Sequence, residues 1–325
     1  MMTSVPHRTP VFVAAIGTAI GAAIGAAIGA AIGAAIGAAT VMAGQAGQDR
    51  KTAEELTLRV THHARALHPG EAVRLTLAAD RPIVTAEAEG FGRSIPLWPS
   101  EDARVWSGLI GVSLDTKPAD YDIVIRATAE PSLTTTYRHS LTLQPKSFAT
   151  RRIQVADGFA NPPAEEAERI QRDARLLADT FASMRRERLW HGPFVRPVPG
   201  QATSSYGRLT ILNGQPGSRH MGADFRAVEG TPVRAPNAGE VLVAEALYFA
   251  GNTVIIDHGF GLFSLFGHLS RIAVEKGTRV ARGDLIGEAG ATGRVTGPHL
   301  HWAVRLAETS IDPLSLMVAV DDTSP

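Results

Sequence analysis

The C-terminal third of the chain contains residues whose types and spacing could bind a metal ion. His299 and His301 stand two residues apart in GPHLHWAVRL, and His220 precedes Asp224 by four residues in SRHMGADF. Two histidines and a carboxylate, with a fourth position open, form a catalytic zinc site. Zinc held in this way polarises carbonyl groups and lowers the pKa of water toward 7. Together with His268, these residues predict metal-assisted chemistry, although spacing alone leaves the exact ligand set open.

The pattern around the histidine pair indicates how a β-sheet would position it. Side chains of a strand alternate between two faces, and one face here is entirely apolar: Leu300, Trp302, Val304 and Leu306. His299 and His301 share the opposite face. Even spacing also puts His220 and Asp224 on one face of a strand, because the surrounding glycines and prolines disfavour a helix. We therefore expect two extended segments that each present a polar pair.

Composition excludes several other kinds of chemistry. The 325 residues include no cysteine, which rules out disulfides, a thiol nucleophile and thiolate metal ligands. The His-Glu-x-x-His motif of helical zinc proteases is also absent from the sequence. Because 32 basic and 32 acidic residues give a formal net charge of zero, we expect no nucleic-acid partner.

The N-terminal segment, residues 1–48, predicts export of the rest of the chain. Arg8 precedes a charge-free run that contains repeated Ile-Gly-Ala-Ala units and ends near small residues, as in a secretory signal. A helix over residues 11–43 would be about 50 Å long, enough to cross a bilayer. The segment could thus be a cleaved signal or a retained membrane anchor. Either alternative places the remaining chain in the periplasm or cell envelope.

Residues 49–150 are predicted to form a β-sandwich of the immunoglobulin-like kind. Short alternating runs are separated by Pro/Gly turns such as His68-Pro-Gly70, which is the pattern of a sandwich. The histidines of this region have no regular spacing, and we interpret them as surface or turn residues: His62, His63, His68 and His139.

A linker over residues 151–195 should contain one helix at about 162–189. Asn161 and Pro162 fit the start of a helix, and three arginines near its end complement the helix dipole. Apolar residues three and four apart predict one apolar stripe that packs on a neighbouring domain or, as an alternative, forms a short coiled coil with a partner: Ala167, Ile170, Ala174, Leu177, Phe181 and Met184. The Pro/Gly-rich stretch 191–200 marks a boundary, after which short strands and glycine turns form the last domain, residues 196–325.

The segment from about Phe194 to Leu316 resembles the lysostaphin/LytM-type zinc metallopeptidases, which cut the peptide part of bacterial peptidoglycan. Three stretches carry the resemblance in the family's order: NGQPGSRHMGADFRAVEGTPVRAPNAGEV, GNTVIIDHGFGLFSLFGHLS and GATGRVTGPHLHW. The resemblance implies a mainly β fold with an antiparallel-sheet peptidase domain. The upstream stretch WSGLIGVSLDTKPADYDI is similar, less specifically, to the β domain that accompanies some members.

The resemblance also implies a role for each candidate site residue. It makes His220, Asp224 and His301 the ligands of Zn²⁺. His299 and His268 would be catalytic, handling protons beside the metal. The chain would then be a zinc endopeptidase that cleaves stem peptides or cross-links of peptidoglycan.

Phe266 and His258 need a separate interpretation, and two other functions are alternatives to the peptidase. Phe266 occupies a position where the family usually has tyrosine, so a hydroxyl group is missing. His258, in VIIDHG, lies near the family's site but is expected to have a hydrogen-bonding role in a turn. One alternative function is a non-catalytic activator of other wall hydrolases, as some family members are. A lipoyl- or biotinyl-type carrier would need an exposed hairpin lysine, and Lys276 lacks the flanking pattern.

Overall fold

β-Strands are the main regular secondary structure of the computed structural model, which describes residues 55–156 and 161–321. The predicted signal or anchor, residues 1–48, lies outside the described residues. Within the described part, no helix combines the length and apolar character needed to cross a membrane. The prediction of a mainly β, antiparallel fold is confirmed.

Two four-stranded antiparallel sheets form the upstream β-sandwich, with strand orders β1-β2-β6-β5 and β4-β3-β7-β8. Their strands are β1 (Leu58–His63), β2 (Ala72–Ala79), β3 (Thr85–Gly90), β4 (Arg93–Ile95), β5 (Leu97–Pro99), β6 (Val105–Gly111), β7 (Asp120–Ala129) and β8 (Leu133–Thr142). The alternating apolar residues of the two sheets meet in one core, which includes Val73, Leu75 and Leu77 from one sheet and Ile123, Ile125 and Leu141 from the other. Burial of these side chains away from water holds the two sheets together.

The rest of the chain builds a ten-stranded sheet and a smaller three-stranded sheet. Their strands are β9 (Thr150–Ile153), β10 (Ala202–Ser204), β11 (Leu209–Leu212), β12 (Gln215–Arg219), β13 (Ala223–Phe225), β14 (Pro232–Arg234), β15 (Gly239–Leu247), β16 (Gly251–Gly259), β17 (Leu262–Ile272), β18 (Arg279–Val280), β19 (Leu285–Ala289), β20 (Leu300–Leu306) and β21 (Thr309–Ile311). The central order of the large sheet is β10-β13-β20-β17-β16-β15-β18. Strand β9, from the linker, pairs in parallel with β11.

The two faces of the large sheet differ in what covers them. Strand β20 shows the predicted alternation: Leu300, Trp302, Val304 and Leu306 are buried, whereas His301, Ala303 and Arg305 are partly exposed. The buried set joins Phe225 and Phe266 in the main core. Helix α1 (Ala167–Ala182) packs on the opposite face through Leu176, Leu177 and Phe181.

Helix α1 is shorter at both ends than the predicted 162–189. Pro163 has an extended backbone, so helical structure begins only after it, first as the 3₁₀ turn Ala164–Glu166 and then as helix α1. Its other end comes at Ser183, where the backbone is also extended. Beyond it the backbone pairs with the sheet instead: Phe260 N–H donates to the Arg185 carbonyl (2.8 Å), and the Arg185 guanidinium lies 2.6 Å from Glu240. These contacts compete with further helical hydrogen bonds.

The upstream β-sandwich packs directly on the C-terminal part of the chain. Trp98 makes an edge-on contact with Trp190, at 5.3 Å between ring centroids. Arg65 bridges the buried Glu71 and Asp312, each at 2.6 Å. Asp312 also caps the last helix, α2 (Pro313–Ala319), by accepting a hydrogen bond from the Leu314 N–H. The two parts of the chain therefore share both an apolar contact and a partly buried ion network.

Candidate metal centre

His220 and Asp224 meet because the chain turns between them. His220 directly follows β12, whereas Asp224 lies in β13, and the backbone bends at Gly222. The expectation that both sit on one strand face is wrong for this reason. Their side chains nevertheless converge, with His220 Nε2 2.9 Å from Asp224 Oδ1.

Strand pairing brings the third residue to the same place. Asp224 of β13 lies directly opposite His301 of β20 in the antiparallel ladder, and such pairs project from the same face of a sheet. His301 Nδ1 lies 3.0 Å from Asp224 Oδ1 and 3.1 Å from His220 Nε2. Among the described residues, these three form a group whose ligand atoms could share one metal ion.

The local backbone leaves room for these rings only because residue 222 is glycine. A Cβ atom at Gly222 would lie 2.6 Å from His301 Cε1 and 2.6 Å from the Trp302 carbonyl oxygen. Two imidazole nitrogens and one carboxylate oxygen around a common point are a donor set that suits a divalent transition metal with an open position. The residues present therefore fit a zinc ion.

Electrostatics favour the ligand-competent forms of Asp224 and His301. Burial would raise the pKa of the Asp224 carboxyl, but hydrogen bonds from His220 and His301 hold that pKa well below its usual range. Burial also lowers the pKa of His301, which favours the neutral imidazole that a metal ligand must be. Arg208 adds a positive charge, with its guanidinium 3.9 Å from Asp224 Oδ2.

His268 reaches the site through an irregularity of β17. Two residues earlier in that strand, Phe266 is paired with Trp302 on the core face, so simple alternation would turn His268 toward the core as well. The strand register shifts in this region, and His268 has a φ angle of 65°. Such a bulge re-aims a side chain. The His268 ring consequently lies 5.9 Å from that of His301, between centroids.

His299 lies just before β20, where it bridges to Gly290 of the neighbouring segment. Its Nε2 atom is 3.7 Å from Asp224 Oδ1, so it borders the metal-binding group without belonging to it. Its ring stands 4.9 Å from that of His268, between centroids. The structure thus brings all five predicted site residues into one cluster.

Backbone carbonyl groups orient the two outer histidines in the same manner. His268 Nδ1 lies 2.9 Å from the Thr292 oxygen, and His299 Nδ1 lies 2.9 Å from the Gly297 oxygen. A carbonyl can only accept, so each Nδ1 carries a proton, and in the neutral form of either ring the lone pair is at Nε2. Burial and the neighbouring His301 lower the pKa of His268 to about 4. His268 is therefore neutral near pH 7 and able to accept a proton.

His258 and Phe266 lie away from this cluster. His258 is buried within β16, where its Nδ1–H donates to the Ala238 carbonyl (2.7 Å) and its Nε2 accepts from the Ser264 hydroxyl (2.9 Å). It thus has the expected hydrogen-bonding role, but inside a strand rather than in a turn. Phe266 faces the core and stacks on Trp302, so the missing hydroxyl removes no group from the metal-binding cluster.

Sequence reasoning missed the residues that support the predicted ones. Arg208 belongs to no motif, and the carbonyl groups of Thr292 and Gly297 have no side-chain signature at all. Only the register of the strands and loops could identify them.

Comparison with known proteins identifies the segment that holds this cluster. Residues 218–313 match the sequence model of Peptidase family M23. The chain is 39% identical over 106 residues to peptidoglycan DD-endopeptidase ShyA of Vibrio cholerae, covering 33% of this chain and 25% of that protein. It is 40% identical over 97 residues to DD-carboxypeptidase/endopeptidase Mpg of Neisseria meningitidis, covering 30% and 22%. The chain spans about a quarter of the length of these curated relatives.

A solved structure extends the likeness to most of the fold. A protein of Pseudomonas aeruginosa described as a peptidase M23 superposes with a TM-score of 0.59 at 27% identity, and the match covers 78% of this chain and 96% of that one. A match of this extent includes strands upstream of the metal centre. The chain therefore carries a Peptidase M23 domain, with a lysostaphin-like antiparallel fold, around the cluster of His220, Asp224 and His301.

Proposed function

We propose that the protein is a zinc-dependent endopeptidase that cleaves peptide bonds of bacterial peptidoglycan. The observation that carries the proposal is the convergence of His220 Nε2, Asp224 Oδ1 and His301 Nδ1 within 2.9 to 3.1 Å of one another. Similarity to proteins named peptidoglycan DD-endopeptidases supports the substrate class.

The three convergent residues would hold the zinc ion. When bound, zinc supplies Lewis acidity that polarises a peptide carbonyl group and makes water a nucleophile near neutral pH. Asp224 contributes the negative charge of the ligand set, and His301 enters as a neutral imidazole. The side chains of His220, Asp224 and His301 are partly exposed. A substrate can therefore approach them on the part of the sheet face that helix α1 does not cover.

His299 and His268 would move protons beside the metal. Each ring keeps its Nδ1 proton on a backbone carbonyl group and directs chemistry to Nε2. One ring can accept a proton at Nε2 as water attacks, and that same proton, kept on this ring or passed to Nε2 of the other, can then be given to the leaving amine. Their ring centroids, 4.9 Å apart, allow both to act on one peptide bond.

The remaining parts of the proposal concern location and organisation. We assign residues 1–48 to export as a signal or as a membrane anchor through residues 11–43, which puts the peptidase in the periplasm or cell envelope. Residues 49–150 form the accompanying β-sandwich, residues 151–195 a linker, and residues 196–325 the peptidase domain.

The test is digestion of purified peptidoglycan by the zinc-loaded protein, followed by mass spectrometry of the released peptides. We expect new amino termini within stem peptides or cross-links, lost on chelation and restored by zinc. Walls with a direct D-Ala to diamino-acid cross-link and walls with glycine bridges, assayed in parallel, identify the scissile bond. Failure to cleave any wall, combined with stimulation of another hydrolase, would favour the non-catalytic activator instead.

A further inference from the structure

Helix α1 lies on the same face of the large sheet as the metal centre. His301, Ala303 and Arg305 alternate along that face of β20. Ladder pairing continues the face from Ala303 to Leu265 of β17, Ile255 of β16 and Val243 of β15. Helix α1 packs on this row, and the Arg305 guanidinium stands 4.7 Å from the centroid of the Phe181 ring of the helix. The linker helix therefore borders the catalytic half of the sheet.

The helix is fixed to the loop between β15 and β16. Asp173 is buried, and its Oδ2 atom accepts a hydrogen bond from the Tyr248 N–H at 2.6 Å. Arg172 donates to the other carboxylate oxygen, also at 2.6 Å. One turn earlier on the helix, the Arg169 guanidinium lies over the Tyr248 ring, 5.7 Å from its centroid. These contacts hold Arg169 in place above the loop.

The β15–β16 loop in turn joins the loop between β19 and β20, which orients a catalytic histidine. The Arg294 N–H donates to the Phe249 carbonyl (2.9 Å), and the Asn252 N–H donates to Thr292 Oγ1 (2.9 Å). The carbonyl group of the same Thr292 accepts from His268 Nδ1. Thr292 therefore both lines the junction of helix and loops and orients His268. A ligand bound at the junction would lie next to the residue that holds this histidine.

A pocket of about 430 Å³ occupies this junction. Its walls come from the first turn of helix α1 and from the two loops, including Arg169, Tyr248, Asn252, Thr292 and Arg294. The two arginines are the only charged residues of its lining. Arg294 stacks on the Phe249 ring at 4.5 Å. A guanidinium group is planar and offers paired N–H donors in the geometry that a carboxylate accepts.

We propose that this pocket is a subsite that binds a carboxylate group of the peptide substrate through Arg169 and Arg294. The proposal rests on the proposed function, since the stem peptides of peptidoglycan carry free carboxylates. It also gives the linker a part in substrate binding, because Arg169 belongs to helix α1 and lies outside the matched family segment 218–313.

The ion pair that Arg169 makes in the structure is weak enough for a ligand to replace it. Glu166 Oε2 lies 3.8 Å from the Arg169 guanidinium, with both side chains at least one-third exposed. Charge-assisted hydrogen bonds are about 2.7–2.9 Å long, so this contact is a loose surface ion pair. A substrate carboxylate in the pocket can replace it.

Calorimetric titration of the full chain with a D-Ala-terminated stem peptide tests the subsite, using one peptide with all carboxyl groups free and one fully amidated. Arg169→Gln and Arg294→Gln should each weaken binding of the free acid at least about tenfold, the effect of losing one charge-assisted hydrogen bond. Binding of the amide should not change. Arg175→Gln, an exposed arginine on the same helix outside the pocket, is the matched control. Arg169→Lys keeps the charge and should recover part of the affinity if Arg169→Gln folds poorly.

The outcomes separate the subsite from the peptidase activity. Equal affinity of the wild-type chain for acid and amide, or unchanged binding by both arginine variants, overturns the subsite. Cleavage kinetics supply the second reading: the variants should raise KM for the free acid and leave kcat and zinc content unchanged. If the wild-type chain binds the acid selectively but cleaves no wall peptide, the proposed function fails while the subsite stands.

Discussion

Two pairs of histidines, one in each half of the molecule, have similar nitrogen-to-nitrogen distances but different surroundings. His62 of β1 and His139 of β8 approach to 2.8 Å in the upstream β-sandwich. His220, which follows β12, and His301 of the large sheet approach to 3.1 Å in the other half. The first pair joins the edge strands of the two different sheets of the β-sandwich at the surface, whereas the second pair lies against Asp224.

The difference shows what converts a histidine pair into a candidate metal centre. The pair of His220 and His301 has a carboxylate within 3.0 Å of both rings and two further histidines fixed by carbonyl groups nearby. The pair in the β-sandwich lies outside the three-ligand group found among the described residues. Two imidazoles alone make a hydrogen bond, while a third, charged ligand makes a site that can hold a divalent cation.

Removing the carboxylate should erase the difference and have the largest effect. Asp224→Ala leaves two protein ligands, too few for a stable catalytic zinc site. We expect zinc content to fall from about one per chain to near zero, and wall-cleaving activity to fall to background. Atomic spectroscopy and a peptidoglycan digest measure both. Asp122→Ala, an exposed aspartate of the β-sandwich that pairs with Arg138, should change neither, and retention of zinc by Asp224→Ala would contradict the ligand assignment.

Removing an outer histidine should separate catalysis from metal binding. His299→Ala and His268→Ala should each keep nearly stoichiometric zinc but lose about 100- to 10,000-fold in kcat, the usual contribution of general acid–base catalysis. The measurement pairs zinc content with the rate of cross-link cleavage. If His299→Ala lost its zinc while His301→Ala retained it, the two histidines would have to exchange roles.

The buried His258, a histidine of the large sheet outside the candidate metal centre, is expected to affect stability rather than metal binding. Burial lowers the pKa of His258 to about 4, below the value of about 6.5 in an unfolded chain. The unfolded state therefore binds more protons between these values, and stability falls as pH drops from 6.5 to 4, by up to about 3 kcal/mol. Chemical denaturation of the metal-free protein at pH 7 and 4.5 should show this loss reduced in His258→Gln. An identical pH dependence in both proteins would contradict it.

The smallest effect is expected at the histidine pair of the β-sandwich. His139→Ala removes a hydrogen bond at the surface, so we expect the free energy of unfolding to change by no more than about 1 kcal/mol. Zinc content and activity should match those of the unaltered protein. A loss of one zinc equivalent in His139→Ala would show that both pairs bind metal and would remove the distinction between the two halves.

Much of the candidate site was predictable because its residues are few in type and regular in spacing. The alternation of β20 predicted its apolar core face and its histidine face. The strands around the His68-Pro-Gly70 turn followed from the same alternation. The strands β3, β4 and β5 were not predicted, because β4 and β5 have only three residues each and the six residues of β3 include no large apolar side chain.

The sequence by itself determined which groups could bind a metal, because it contains no cysteine and carries histidines in two short stretches. It also determined which apolar faces must be buried. It could not determine how the groups meet. His220 reaches Asp224 through the bend at Gly222, and His268 reaches the cluster through a bulge that breaks the two-residue period. Likewise, the placement of helix α1 beside the metal centre depends on Asp173 and Phe181 contacting strands and loops far along the chain. Local periodicity specifies faces, but register, bulges and long-range packing bring distant faces together, and these exist only in the folded chain.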